Sequence, residues 1–195
     1  MTICPKVTKR IVSPPMAWKL LPYEGCLNLE TLKINIMIST NLQKAINDQI
    51  TAELWSSNLY LSMAFALKAE GWDGFAHWMN KQALEEREHA TAMADYLIKR
   101  GGEAKVAMID VVPDKWGSVL EVFEHVYSHE CHVSELINTV VDAAAKEDDK
   151  ATQDFFWGFV REQVEEEATA SSIVDKIKRA GEQGLFYLDS QLGQR

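Results

Sequence analysis

Proline is scarce where it matters in this 195-residue chain: four of its five prolines precede residue 23, and only Pro113 lies beyond. Proline breaks helix interiors, so its absence leaves the long stretches on either side of Pro113 free to be helical. Cysteine is scarce too. Cys4, Cys26 and Cys131 are too few and too scattered for a disulfide framework or a cysteine-rich zinc site, and a reducing, cytoplasmic setting is expected. No apolar run is long enough to cross a bilayer. The first residues hold Lys6, Lys9 and Arg10, but Pro14, Pro15, Lys19 and Pro22 break up the apolar residues behind them, so they do not read as a secretory signal. Basic excess is also missing. Residues 1–36 carry five Lys/Arg against two Glu, whereas residues 37–195 carry fifteen Lys/Arg against twenty-seven Asp/Glu, within a total of −9. Such an acidic body argues against nucleic acid as a partner, since phosphate binding needs positive surface. It suits attraction of small cations, and it equally serves solubility.

What is present is helical periodicity in a chain of single-domain length. Residues 1–36 are expected to be a poorly structured leader, either a real extension or the result of a translation start placed too early, with Met37 the true first residue; we take the second reading. Residues 37–195 form one domain. A first helix is predicted at about 40–70, striped by Leu42, Ile46, Ile50, Leu54, Leu61 and Ala64. A second, at about 73–100, runs through Phe75, Met79, Gln82, Met93 and Leu97 to the stop signal Gly101-Gly102. A third, at about 117–146, runs through Leu120, Phe123, Tyr127, Val133, Ile137, Val141 and Ala144. A fourth, at about 149–180, runs through Phe156, Phe159, Ile173 and Ile177 to Gly181, and Leu185, Phe186, Tyr187 and Leu188 suggest one more short helix. Short connections make the first and last helix pairs antiparallel hairpins, while residues 101–116 are long enough, at ~3.3 Å per extended residue, to run the length of a bundle. The fold class is therefore all-α, a four-helix bundle with one long crossover; another antiparallel bundle would satisfy composition alone.

Each helix also places acid where apolar residues are expected. Glu53 edges the first stripe, Glu86 and His89 interrupt the second, Glu130 the third, and Gln163 and Glu166 the fourth. Any one of these glutamates taken singly would read as a boundary residue with its head in water, and His89 as a satisfied core histidine. Four helices doing it together is different, because burying unpaired carboxylates costs several kcal/mol each and the inward faces offer no Lys or Arg. Two divalent cations would neutralise four carboxylates. Di-metal carboxylate bundles take one Glu from each of two helices and a Glu-x-x-His from each of the other two. Glu53 and Glu130 fit the single roles and Glu86-Arg87-Glu88-His89 fits one motif. The other, Glu166-Glu167-Ala168-Thr169, ends in Thr, so one metal has a histidine ligand and the other an oxygen-rich, weaker site.

At this point the chain resembles the ferritin-like diiron family, specifically bacterial-type non-haem ferritins, over residues 37–192. The resemblance is carried by Ala52-Glu53-Leu54-Trp55-Ser56-Ser57-Asn58-Leu59-Tyr60, Glu85-Glu86-Arg87-Glu88-His89, His129-Glu130 and Glu162-Gln163-Val164-Glu165-Glu166-Glu167. It implies a first iron at Glu53, Glu86 and His89, with Glu86 bridging to a second held by Glu130 and Glu166, and Gln163 nearby. It implies an electron-donor role for Tyr60, which reads equally as a core aromatic, and an accessory third iron at Glu85, Glu162 and Glu165, otherwise a solvated acidic face. Bacterioferritins carry a haem-ligating Met after the second-helix Glu and a second Glu-x-x-His; here Arg87 and Thr169 stand there, so no haem is expected.

The resemblance further implies iron storage with ferroxidase activity. Fe(II) would be oxidised by O2 or peroxide and kept as ferric oxide-hydroxide mineral in a homo-oligomeric shell of twenty-four copies, with no membrane partner. Glu147, Asp148, Asp149 and Asp154 would line an iron entry pore, or simply form a solvated turn. Two other functions stay open on sequence: a storage-only subunit, which the Glu53/Glu86/His89/Glu130 set speaks against, and a diiron peroxidase, which the missing second histidine disfavours.

Overall fold

The structure, a computed structural model, describes residues 37–194; the expected leader lies outside the described residues. Four α-helices are arranged in order: α1 (Thr40–Ala69), α2 (Asp73–Lys99), α3 (Val119–Lys146) and α4 (Lys150–Leu192). No described helix is long and apolar enough to cross a membrane. Local chemistry sets their ends. Ser39 Oγ accepts from Leu42 N to start α1, and Ser118 and Glu121 form a reciprocal capping box at α3. Asp149 accepts from Thr152 N to start α4. α4 is broken at Gly181, whose φ of 58° suits glycine, so residues 182–192 form the short terminal helix expected from the sequence.

α1 pairs with α2 and α3 with α4, and the two hairpins meet through α1 against α3 and α2 against α4. The crossover runs along α1. At its start Gln43 Oε1 and Asn47 Oδ1 accept from Glu103 N and Lys105 N (2.9 and 2.7 Å). At its end Ser62 Oγ donates to Pro113 O (2.5 Å) and accepts from Trp116 Nε1 (3.0 Å). This carries the chain back to the far end of the bundle, so α3 runs antiparallel to α1.

The core has two apolar parts. One gathers Leu59, Met63, Phe75, Met79, Phe123 and Ile173; the other gathers Ile46, Ile50, Met93, Ile137 and Phe156. Between them, at mid-height on every helix, lies a layer of buried polar groups: Gln49, Glu53, Ser56, Ser57, Gln82, Glu86, His129, Glu130 and Gln163. Most of the expected stripe is core, with Leu54, Leu61 and Leu120 half-buried. Tyr127 departs from it: the side chain is exposed, and Val126 takes the inward position one residue earlier. The predicted third stripe is one residue out of register there, and Glu130 comes one helical turn after Val126 on the inner face.

Candidate metal centre

Glu53, Glu86 and His89 converge in the polar layer, each offering a ligand atom within 4.8 Å of the others'. The two carboxylates arrive from α1 and α2, and the i, i+3 spacing sets His89 on the same face as Glu86. Gln49, one turn before Glu53, donates to Glu53 Oε1 (2.8 Å) and leaves the other oxygen uncovered. Glu53 Oε2 and Glu86 Oε2 are both buried with no hydrogen-bond partner. Such atoms are rare in folded proteins, because a buried acceptor without a donor forfeits its hydration with no return. Burial drives the Glu53 carboxyl well above its ordinary range, and the facing Glu86 pushes it further. Glu86 is raised as well, again chiefly by burial, although contacts with His89 and Glu53 oppose the rise.

His89 is the cation of the group. Burial works to lower it, but the neighbouring Glu162 and Glu86 carboxylates outweigh that and raise it to about 11. Its Nδ1 lies 3.6 Å from Glu86 Oε2 and its Nε2 lies 3.2 Å from Glu162 Oε1, on α4. Glu162 is in turn held below the usual carboxylate range by that bond.

Across the layer stands Glu130, from α3 and only 1 % exposed. Both of its carboxylate oxygens are engaged: Tyr60 Oη donates to one, and Gln163 Nε2 donates to the other at 3.1 Å. Burial still lifts Glu130 to about 7, and the Tyr60 hydroxyl is held well above its ordinary value by burial and by the neighbouring carboxylates. Glu166 is half-buried and accepts from Gln82 Nε2 (3.1 Å). Of the other acidic candidates, Glu85 and Glu162 are half-buried and Glu165 is exposed.

Five members of the layer do not stand out as site residues in the sequence: Ser56, Ser57 and three others. Gln49 and Gln82 bind the carboxylates of Glu53 and Glu166, and the i, i+4 relation of Gln49 to Glu53 is a readable signal. His129 is the third. Ser56 Oγ gives its proton to Ala52 O (3.0 Å), so His129 Nε2 donates to Ser56 Oγ (2.9 Å). Burial lowers His129 to about 4, so it is neutral and supplies no counter-charge. No Lys or Arg is buried in the layer among the described residues. At the turn before α4, read from the sequence as either a pore lining or a solvated turn, two of the four acids have partners within the chain. Asp149 caps α4 and pairs with Arg100 at 2.9 Å, and Asp148 pairs with Lys150 at 2.7 Å. Glu147 and Asp154 are exposed.

The donor set, carboxylate oxygens with one imidazole, is what first-row divalent metals favour, and two orphaned oxygens beside an imidazole fit a cation of that class. Residues 43–180 match the family model described as a ferritin-like domain. The chain belongs to the ferritin family. It is 71% identical over 159 residues to the bacterial non-heme ferritin of Bacteroides fragilis strain 638R, covering 82% of this chain and 100% of that one. It is 36% identical over 156 residues to the bacterial non-heme ferritin of Campylobacter jejuni, covering 80% of this chain and 93% of that one. Among solved structures, the open pore ferritin of the archaeon Archaeoglobus fulgidus superposes with a TM-score of 0.79 at 44% identity, over 81% of this chain and 99% of that one. As a ferritin the protein stores iron, and Glu53, Glu86 and His89 form a group that could hold a metal ion.

Proposed function

We propose that residues 37–195 oxidise Fe(II) at a two-iron centre and store the product as ferric oxide-hydroxide mineral inside a shell of twenty-four copies. One observation carries the reading: two buried carboxylate oxygens, from Glu53 and Glu86, stand without hydrogen bonds beside His89 in a layer without a buried Lys or Arg. Iron is the substrate here. The first iron takes Glu53, Glu86 and His89; Glu86 bridges to a second at Glu130 and Glu166, near Gln163. Two Fe(II) together release two electrons, enough to reduce O2 to peroxide, or peroxide to water with uptake of two protons. Glu130, already bonded to Tyr60, is placed to take the tyrosine proton if Tyr60 supplies a further electron. Glu85, Glu162 and Glu165 provide the accessory third site. Arg87 stands where bacterioferritins carry the haem-ligating Met, and Thr169 where they carry the histidine of the second Glu-x-x-His.

Self-assembly is supported by the apolar side chains a single copy leaves in water. Met108 and Val111 on the crossover and Phe186 and Tyr187 on the terminal helix are 68–93 % exposed, as surfaces covered by other copies would be.

The test is to add Fe(II) in large excess over protein under air. Many irons oxidised and retained per subunit, with the rate collapsing in Glu86→Ala, is the expected result. Slow oxidation indifferent to Glu86→Ala would mean storage without an oxidation centre. A capacity that stops at about two irons, with peroxide turnover, would mean a diiron peroxidase.

A further inference from the structure

A second gathering of metal-binding side chains lies apart from Glu53, Glu86 and His89, in a pocket of about 370 Å³ between α1, α3 and the crossover. Trp55, Val133 and Leu136 give it apolar walls, and Asp110, His129 and His132 bring nitrogen and oxygen donors to it. His129 is the fixed point. It is only 9 % exposed, its ring lies against Trp55 and Tyr60 (centroids 5.7 and 6.0 Å apart), and its Nε2 donates to Ser56 Oγ (2.9 Å). With the proton on Nε2, Nδ1 keeps its lone pair and has no hydrogen-bond partner among the described residues. That is the arrangement of a metal-ligating histidine, in which one ring N–H goes to a neighbour that fixes tautomer and orientation and the other nitrogen is left for the ion. His132 follows one turn along α3, at the same i, i+3 spacing that joins Glu86 to His89. Its Nδ1 lies 3.6 Å from Glu135 Oε2, which leaves Nε2 for a metal. Asp110 is exposed and has no hydrogen bond or ion pair among the described residues.

We propose that this pocket is a separate metal site for a divalent cation of the zinc class, held by His129 Nδ1, His132 and Asp110, with Ser56 as the positioning residue behind His129. The inference does not depend on the two-iron reading. Two imidazoles and one carboxylate make a donor set richer in nitrogen than Glu53, Glu86 and His89, and three protein ligands leave a fourth tetrahedral position for water. Among the described residues the only trio already within ligand reach of one another is Glu53, Glu86 and His89. Closure of the pocket comes from His132 and Asp110, whose side chains are exposed and pass quickly between rotamers, while His129 stays in place. Fixing those two side chains costs conformational entropy, so the pocket fills after the first site. The apolar walls then shield the ion from water on the side away from the opening.

The experiment uses the assembled, metal-stripped protein carrying Glu86→Ala, which disables the first site, and follows Zn(II) binding by calorimetry. A step of one Zn(II) per subunit is expected to remain. Adding His132→Ala should weaken that step by about 100-fold or more, since loss of even an outer partner of a ligand costs roughly 10–100-fold. Adding Ser56→Ala, which removes only the acceptor of the Nε2 proton, should weaken it by about 10–100-fold. Asp110→Asn, which keeps an oxygen donor and loses the charge, should weaken it less than Asp110→Ala. His132 and Asp110 are exposed, so their replacement leaves the fold intact, and thermal melts check this. In the protein with Glu86 unchanged, His132→Ala should leave the rate of iron oxidation at the parent value. The proposal is overturned if the Glu86→Ala protein takes up no Zn(II), or if it binds Zn(II) equally well with His132→Ala or Ser56→Ala in place.

Discussion

The polar layer is costly as it stands without metal, and a single carboxylate shows how. Glu53 is 1 % exposed, has one oxygen bonded to Gln49 and one bonded to nothing, and faces Glu86. Replacing it by glutamine removes a carboxyl whose charged form burial and Glu86 both disfavour, and the new amide N–H can donate to the Glu86 oxygen left without a hydrogen bond. Glu53→Gln is therefore expected to stabilise the metal-stripped protein by about 1–3 kcal/mol, the range for an unsatisfied buried acceptor. It should at the same time weaken the tightest Zn(II) step at least tenfold. Thermal melts in chelator, set beside a zinc titration, check both halves. A variant that melts lower than the parent without metal would show that the site is not held at a cost. How much of this is legible in the sequence depends on residue type. Glutamate and histidine announce themselves on an apolar face, so Glu53, Glu86, His89 and Glu130 can be picked out from periodicity. Gln82 and Ser56 are ordinary residues on a helix until their partner is known, and Gln49 is set apart only by standing four residues before Glu53. His129 gives no sign that it is neutral, because that depends on burial beside Trp55, Ser56 and Tyr60 of α1.

At the scale of elements, the four helices are legible because a 3.6-residue repeat sustained for seven or eight turns has few other meanings. Their ends are legible where the cap is local, as at Ser39, Ser118 and Gly181. The start of α2 is not. Trp72 offers no side-chain cap, and the Phe75 N–H is instead taken by Asp189 Oδ1 (2.8 Å), 114 residues later in the terminal helix. No local rule reads a cap delivered from the other end of the chain. Gly74 makes the approach possible. A Cβ added there would sit 1.7 Å from the Asp189 carbonyl oxygen, and backbone cannot rotate away as a side chain would. Gly74→Ala should therefore push residues 182–192 off the bundle, losing the cap and the packing of Leu185, Leu188 and Leu192 against the core. A loss of about 1–3 kcal/mol is expected, the usual cost of forcing extra atoms into a packed contact. Hydrogen exchange localises it: amides of 182–192 should exchange faster while those around Glu53 and Glu130 keep their protection. Uniform loss of protection would mean that the terminal helix and the bundle unfold as one unit.

For the molecule as a whole, two apolar cores supply the stability and the layer between them takes some back in a way that depends on pH. Glu130 is raised by burial to about 7 from an ordinary 4.5, so the folded protein binds its proton more tightly than the unfolded chain does. A group of that kind makes folding less favourable as pH rises through the interval between the two values. His89, raised to about 11 from 6.5, acts with the same sign at higher pH, since its proton is also held more tightly in the fold. The metal-stripped protein is thus expected to lose stability steadily from pH 5 to pH 8. Glu130 alone contributes a loss on the order of 3 kcal/mol, at 1.36 kcal/mol per pKa unit. A divalent ion reverses the balance, because it replaces the protons that the carboxylates would otherwise keep, and its own affinity must rise with pH as those protons are released. Melting temperature against pH, with chelator and with saturating Zn(II), gives two curves that should diverge towards high pH. Parallel curves would mean that the carboxylates of this layer do not bind the metal. The divergence has a functional side under the proposed two-iron reading: an ion would be held more loosely as the surroundings acidify, so iron received near neutral pH would be given up at lower pH.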